Sequence, residues 1–341
     1  MTARSVPDGS VSRPAAFQKK LSQPSNFSYV AGRLSARMRE FFTPSELDGL
    51  DGAPLGEFER RILASSYGPP YRRDFSLAAG PVSFRLDSML TAETSRRLAD
   101  LVRLSLGETA LAACLLGVLS DLPLGLAFLR NLAFRHPTPP RQRPCFGVLD
   151  QAFWHRLWAD CADMGRVETI CNEHASPHAP LLLLSVDRAL SQGRLDGEMA
   201  WADGLLALAF HWLDESGLSG RTLRPFIEQY TDAWNYRIWA MRQQGNADVP
   251  FLSVHGELRP DVLASAKTER ALFAGTVWRS LRSPEHRHTA QDMERDLLGR
   301  MTRLNRSDPL GAGLMASYAA RQLLEYERLS SRIRQLAGAE R

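Results

Sequence analysis

The sequence predicts an all-α protein: an irregular multi-helix bundle of two packed helical domains behind a disordered N-terminus. Three observations carry that expectation. Apolar residues recur at spacings of three and four along most of the chain after residue 83, the period of a helix with one buried face. Glycine and proline fall at the ends of those periodic stretches and mark helix boundaries. No pair of alternating apolar segments reads as adjacent strands, and no stretch repeats.

The centre of the pattern is Glu173 to Asp214. His178–Gln192 reads as a helix, with Pro180 in its first turn, where a missing N–H costs nothing, and Gly193 past its end. Leu183, Val186 and Leu190 form its apolar stripe, while Asp187, Arg188 and Gln192 reach water. The next helix, about Gly197–Glu215, carries Met199, Leu205, Leu206, Leu208, Phe210 and Trp212. It is apolar nearly all round and belongs in the interior.

Taken in order, residues 1–28 are rich in Ser, Pro, Ala and Arg without apolar periodicity and are expected to be disordered. Residues 29–82 hold a basic amphipathic segment, Tyr29–Phe42, then a turn-rich connection, a helix at Glu57–Ser65 and a Gly- and Pro-punctuated loop. In the amphipathic segment Val30, Leu34, Met38 and Phe41 share a face, which suits a surface helix docked on the domain; a membrane-surface or partner-binding helix is the alternative. The central domain, 83–215, opens with Thr91 as cap of Ala92–Leu106. Two short helices follow, Thr109–Ser120 and Leu124–Phe134, split at Asp121-Leu122-Pro123. Arg135–Pro144 is an exposed, proline-stiffened connector, and Gln151–Ala162 and Arg166–Asn172 lead into the central pair. In the C-terminal domain, 216–341, Thr222–Gln244 is strongly amphipathic. A loop over 246–258 contains one extended piece, Pro250–Val254. Pro260–Arg282 is helical, Thr289 and Asp292 resemble a capping box, and Asp308-Pro309 starts a long terminal helix.

The chain has 341 residues and a net charge of +4. Its basicity is almost wholly arginine, since Lys19, Lys20 and Lys267 are the only lysines. Guanidinium forks bind carboxylates and phosphates in bidentate fashion, but a surplus this mild does not call for nucleic acid. Cys114, Cys145, Cys161 and Cys171 form no CxxC and no dense framework, which suits a reducing, cytoplasmic setting. The N-terminus has no apolar core of a secretory signal. The most apolar run, Thr109–Leu119, is too short on its own to cross a bilayer, so no span and at most peripheral membrane contact are expected.

Three constellations were weighed for chemistry. Cys171, Glu173, His174 and His178 have the look of metal ligands, but Pro177 interrupts the turn between the histidines and the HExxH order is absent; His286 and His288 read as solvated. Cys145 and His155 could form a nucleophilic pair only if the fold joined them. No phosphate-loop, dinucleotide, nucleophile-elbow or kinase signature is present, and Asp187, Asp196 and Glu198 do not repeat as di-iron ligands would. The expectation is therefore a chain that is not an enzyme and has no cofactor. The third constellation is electrostatic: Arg130, Arg135, Arg141 and Arg143 around the proline-rich connector, with Arg188 and Arg194 in and just after the first helix of the central pair. It reads either as a solvated surface or as an arginine patch for an acidic peptide, whose grip would weaken as salt rises.

From Phe84 to Asp214 the order of features resembles the cytoplasmic domain of the DotM/TrbA-like subunits of type IVB secretion and conjugation systems. SFRLDSMLTAETSRRLADLVRLSLG is similar to the family's extended segment and the helix ending in Leu-Gly, and TALAACLLGVL to its alanine-rich helix. EHASPHAPLLLLSVDRALSQGRLDGEMAW is similar to its stretch of a histidine, an apolar helix, Gly-x-Leu and a Trp. Past Trp201 the family's further series is not matched, and its membrane-spanning segments are not seen. The resemblance implies a non-catalytic adaptor beside the coupling ATPase, at the cytoplasmic face of the inner membrane, presenting arginines to acidic secretion signals. The competing expectations are a secreted effector whose residues 1–28 act as leader, and a helical metalloenzyme using His174 and His178.

Overall fold

A computed structural model describes residues 15–134, 143–245, 249–281 and 290–339. Among the described residues there are sixteen α-helices and no strand, so the expected all-α class holds. In chain order these are α1 (Ala15–Leu21), α2 (Phe27–Arg37), α3 (Pro44–Asp51), α4 (Leu55–Ala64), the single turn α5 (Gly68–Pro70), α6 (Val82–Leu104), α7 (Glu108–Phe134) and α8 (Gln151–Ala159). Then come α9 (Met164–Glu173), α10 (His178–Ser191), α11 (Arg194–Glu215), α12 (Leu218–Gln243), α13 (Pro260–Ser265), α14 (Glu269–Leu272), α15 (Ala290–Met301) and α16 (Ala312–Ala339).

The central pair forms as the sequence reads. Helices α10 and α11 make a tight hairpin through Gly193, whose φ of 118° only glycine adopts without strain. Helix α11 is interior, with Trp201, Leu205, Leu206, Ala209 and Trp212 buried against α7, α10 and α12. The buried face of α10 is Ala179, Leu182, Ser185 and Val186, one step round from the expected stripe, and Leu190 is left exposed. The reason is the partner: α11 approaches so closely at Gly197 that a Cβ there would stand 2.4 Å from that of Ala189.

Helix α7 departs most from expectation. It runs unbroken from Glu108 to Phe134 with Pro123 inside it. Its packing is stronger than the break a proline imposes: the helix is apolar all round, and at Gly125 the indole of Trp201 comes within 2.2 Å of where a Cβ would be. The Trp201 Nε1–H donates to Leu122 O at 3.0 Å. Because it is not split, its stretch Glu108–Leu132 is long and apolar enough to cross a membrane, yet 83% of an apolar 18-residue segment of it is buried inside the helical body, as in a core helix.

Other boundaries also move. Thr91 is inside α6, not at its cap, and its hydroxyl donates to Asp87 O at 2.9 Å; the segment ahead of it, expected to be extended, is helical from Val82. Residues 15–28, placed in the disordered leader by composition, include α1, whose Phe17 ring lies 5.8 Å from that of Trp212. Pro260–Arg282 is not one helix: α13 and α14 are short and a 3-10 turn follows at Val277–Leu281. The Pro250–Val254 piece pairs with no strand among the described residues. The last helix begins at Ala312, after Asp308, whose carboxylate accepts from Gly313 N at 2.8 Å.

One apolar core runs from Phe17 to Ala320 and takes residues from both expected domains, since α12 lies on α7 and α11. A second, smaller core joins Leu50, Phe58, Ile62, Tyr67, Leu86 and Met89 to Leu329 and Ile333. The two long helices α6 and α16 pack together and serve both cores, carrying the end of the chain back to its beginning. Helix α2 docks with Val30, Ala31 and Leu34 buried, and the Arg37 guanidinium donates to Asp100 at 2.6 Å.

Between the cores runs a buried polar seam. Arg97 and Glu93 are each almost wholly buried and paired at 2.8 Å, and the guanidinium lies 4.5 Å above the Tyr67 ring. Tyr67 donates its hydroxyl proton to Glu325 at 2.8 Å and accepts from Gln322 at 2.9 Å. Buried charges persist only when so matched. The seam delivers one carboxylate, Glu325, to the floor of the groove described next.

Candidate peptide-binding surface

Of the six arginines singled out by the sequence, Arg130, Arg143, Arg188 and Arg194 are among the described residues. Arg130, near the C-terminal end of α7, and Arg194, first residue of α11, converge on a single carboxylate. Arg130 Nη2 lies 2.9 Å from Glu198 Oε2, and Arg194 Nε lies 3.3 Å from Glu198 Oε1. Glu198 sits in the first turns of α11, where the helix dipole also favours a negative charge. Two exposed guanidiniums are thus held side by side, with one charge of the pair cancelled. Arg188 is half-buried on α10 with no ion-pair partner among the described residues. Arg143 is exposed elsewhere and acts electrostatically on Glu294 and Glu327, of α15 and α16. Arg135 and Arg141 lie outside the described residues.

The histidine constellation is taken up by structure. His178, at the start of α10, places Nδ1 2.7 Å from Asp121 Oδ2; both side chains are fully buried, and the imidazole stacks on Trp212 at 5.4 Å. His174 leans its ring edge on Phe153 at 4.7 Å, and burial holds its pKa below the usual histidine range. Glu173 pairs with Arg156 at 2.9 Å, and burial pushes the Cys171 thiol up to about 12. Among the described residues no group of three His, Cys, Asp or Glu side chains is arranged to hold a metal ion. Cys145 is buried with its Sγ 3.6 Å from Leu149 O, and burial together with Asp121 raises its pKa far above that of a nucleophile. His155 is exposed on α8, so the imagined pair does not meet.

A concave surface with apolar and cationic character lies where sequence reasoning did not look. A groove of about 750 Å³ separates α3 and the turn before it from α16, with α15 at its edge. Phe41, Phe42, Leu47 and Leu324 line it, all half-buried. Phe41 rests on Tyr318 and Phe42 on Tyr67, at ring separations of 5.5 and 6.1 Å, which fixes both side chains. Arg295, Arg321, Arg328 and Arg332 complete the wall. Arg328 is clamped by Asp48 and Asp51, and Arg332 donates to Ala53 O at 2.8 Å while its Nε–H is buried with no acceptor. Arg295 stands 4.0 Å from Glu327, and Arg321 is exposed with no carboxylate partner among the described residues. Such a groove has the chemistry to accept a segment that offers apolar side chains inward and carboxylates outward. Arg321, Arg328 and Arg332, seven and four residues apart, do share a helical face in the sequence. The opposite wall, more than 270 residues away, has no such signal.

At the floor, burial pushes the Glu325 carboxyl up to about 6, against the pull of the Tyr67 hydroxyl, the Phe42 N–H and Arg97. The folded protein therefore holds this proton more tightly than the unfolded chain, whose carboxyl has the ordinary value of 4.5. The stability it contributes is full below that value and is lost as pH rises through about 6. The Glu325→Gln variant is expected to lack roughly 2 kcal/mol of the decline in unfolding free energy that wild type shows across this window. Urea unfolding at a series of pH values measures it; parallel curves for the two proteins would refute the assignment.

No protein-family model matches the chain, and no curated protein matches it either.

Proposed function

We propose that this chain is a non-catalytic adaptor or scaffold subunit of a bacterial type IVB-like secretion or conjugal transfer apparatus, holding acidic, partly apolar segments of substrate proteins for the coupling ATPase at the cytoplasmic face of the inner membrane. The observation that carries the binding role is the α3–α16 groove, where four half-buried apolar side chains lie beside arginines and Arg321 lacks a carboxylate partner among the described residues. The apparatus is supported by the resemblance over Phe84 to Asp214. Arg130 and Arg194, side by side on Glu198, form a second and weaker cationic spot, because one of their charges is already matched.

The test is the fluorescence anisotropy of a labelled peptide alternating Glu and Leu against the purified full chain. Binding should weaken as salt rises, and Arg321→Glu should cost on the order of tenfold in affinity, one missing and one repelling charge at a partly desolvated site. Arg194→Glu should cost less, since Glu198 then loses one of its two cations while the groove stays intact. Binding that ignores both salt and Arg321→Glu removes the groove from the proposal. Failure of the chain to co-purify with any apparatus ATPase or substrate from the native cell removes the apparatus.

A further inference from the structure

The corner that leads into α6 is built to present apolar side chains to the outside. After α5 the backbone makes one wide π-helical turn over Tyr71–Phe75, and Tyr71 is buried and Phe75 half-buried in the smaller core. The following residues project. Leu77 is 98% exposed and Phe84, in the first turn of α6, is 56% exposed. Gly80, at φ 107°, turns the chain so closely that a Cβ there would stand 3.3 Å from the Phe84 ring. Arg72 is exposed and has no ion-pair partner among the described residues, and Arg73 is exposed with its charge shared with Asp74 at 2.6 Å. No other part of the described protein leaves a leucine so bare.

We propose that this corner is a membrane-surface contact, in which Leu77 and Phe84 enter the boundary between headgroups and acyl chains of an anionic bilayer while Arg72 and Arg73 meet lipid phosphates. Shape and size favour lipid over a protein partner. Two protruding side chains offer far less than the roughly 1,200 Å² that a stable protein interface buries, whereas a bilayer rewards each inserted side chain singly and each arginine besides. The turn is anchored by Tyr71, so the side chains are presented without first having to be ordered. Positive charge beside the apolar tip fits a negatively charged surface, and the start of α6 adds its own partial positive charge. This inference does not rest on the groove or on the secretion reading.

The experiment is co-sedimentation of the purified full chain with vesicles of phosphatidylcholine alone and of phosphatidylcholine with phosphatidylglycerol, at low and at physiological salt. Wild type should sediment with the anionic vesicles and not with the neutral ones, less so as salt rises. Leu77→Glu should reduce the partition on the order of tenfold, and Arg72→Glu about fivefold or more. Both residues are at the surface, so thermal unfolding of both variants should match wild type and exclude misfolding as the cause. Wild type that ignores anionic vesicles overturns the proposal, as does binding indifferent to Leu77→Glu. A Leu77→Glu variant that loses a protein from a pull-down while wild type shows no vesicle binding would make the corner a protein contact, and the lipid proposal would again fall.

Discussion

Replacing Asp121 by Ala is expected to cost about 3 kcal/mol or more of stability, because a buried imidazole and two backbone donors lose their acceptor at once. Asp121 lies in the middle of α7 and is fully buried. Its Oδ2 receives the His178 imidazole at 2.7 Å, the Val148 N–H at 2.8 Å and the Leu149 N–H at 3.3 Å. One carboxylate thus ties together α7, the turn before α8 and the first residue of α10. The turn is moulded on it: a Cβ at Gly147 would come 1.8 Å from Oδ1, so glycine is the residue that lets the backbone close over the carboxylate. Truncation to Ala removes the acceptor but leaves a buried imidazole and two backbone donors without water, and each such orphan is costly. Asp121→Asn keeps an oxygen in place and removes the charge, so it should lose less than Ala. Urea unfolding of both variants checks this order. A cost below about 1 kcal/mol for Ala would show that the pair is not what closes this part of the core.

Replacing Asp232 by Ala is expected to loosen residues 249–281 and cost about 3 kcal/mol or more, because several buried donors lose their acceptor at once. Its oxygens accept from Gly256 N at 3.1 Å, Glu257 N at 3.0 Å and Leu258 N at 3.0 Å, and the Trp278 indole lies at 3.4 Å. This stretch has no regular structure of its own over 249–259, so the side chain on α12 replaces the hydrogen bonds that a helix or sheet would have supplied. Burial pushes the Asp232 carboxyl up to about 6, opposed by those same donors. Gly256 passes so near α12 that a Cβ would stand 2.5 Å from Glu228 O, so the loop has no room to shift and find other partners. Hydrogen exchange read by mass spectrometry should show the amides of Gly256, Glu257 and Leu258 exchanging far faster in the variant, with α7 and α11 still protected. Unchanged protection of those amides would remove Asp232 from its organising role.

Elements whose fate is decided by near neighbours were legible in advance. Helices α10 and α11 with Gly193 between them, the amphipathic run that became α12 and the terminal helix after Asp308 all follow from spacing and end residues. Helix α7 was misread because local rules penalise Pro123, whereas the outcome was set by an indole from α11 and a core on every side. Thr91 was misread as a cap for a related reason: it is a capping residue type, but α6 continues past it because Leu86, Met89 and Leu90 have a core to enter. For the candidate site the sequence singled out arginine as the chemistry and chose neighbours along the chain. Arg130 and Arg194 do meet, through Glu198, and Arg143 turns toward another acidic surface. The groove needs Phe42 and Leu47 opposite Arg321 and Arg328, a pairing that no local pattern records.

What the sequence determined by itself is the all-α class, most of its helices and the arginine-based charge, because helix formation and side-chain ionisation depend on residues within a few turns. What only the tertiary structure decided is which charges are spent inside the fold and which face outward. Asp121 and Asp232 found partners brought from tens of residues away, while among the described residues Arg321 found no carboxylate and Leu77 no cover. The physical reason is that burial and pairing are properties of the space between elements, and that space exists only once distant parts of the chain have packed.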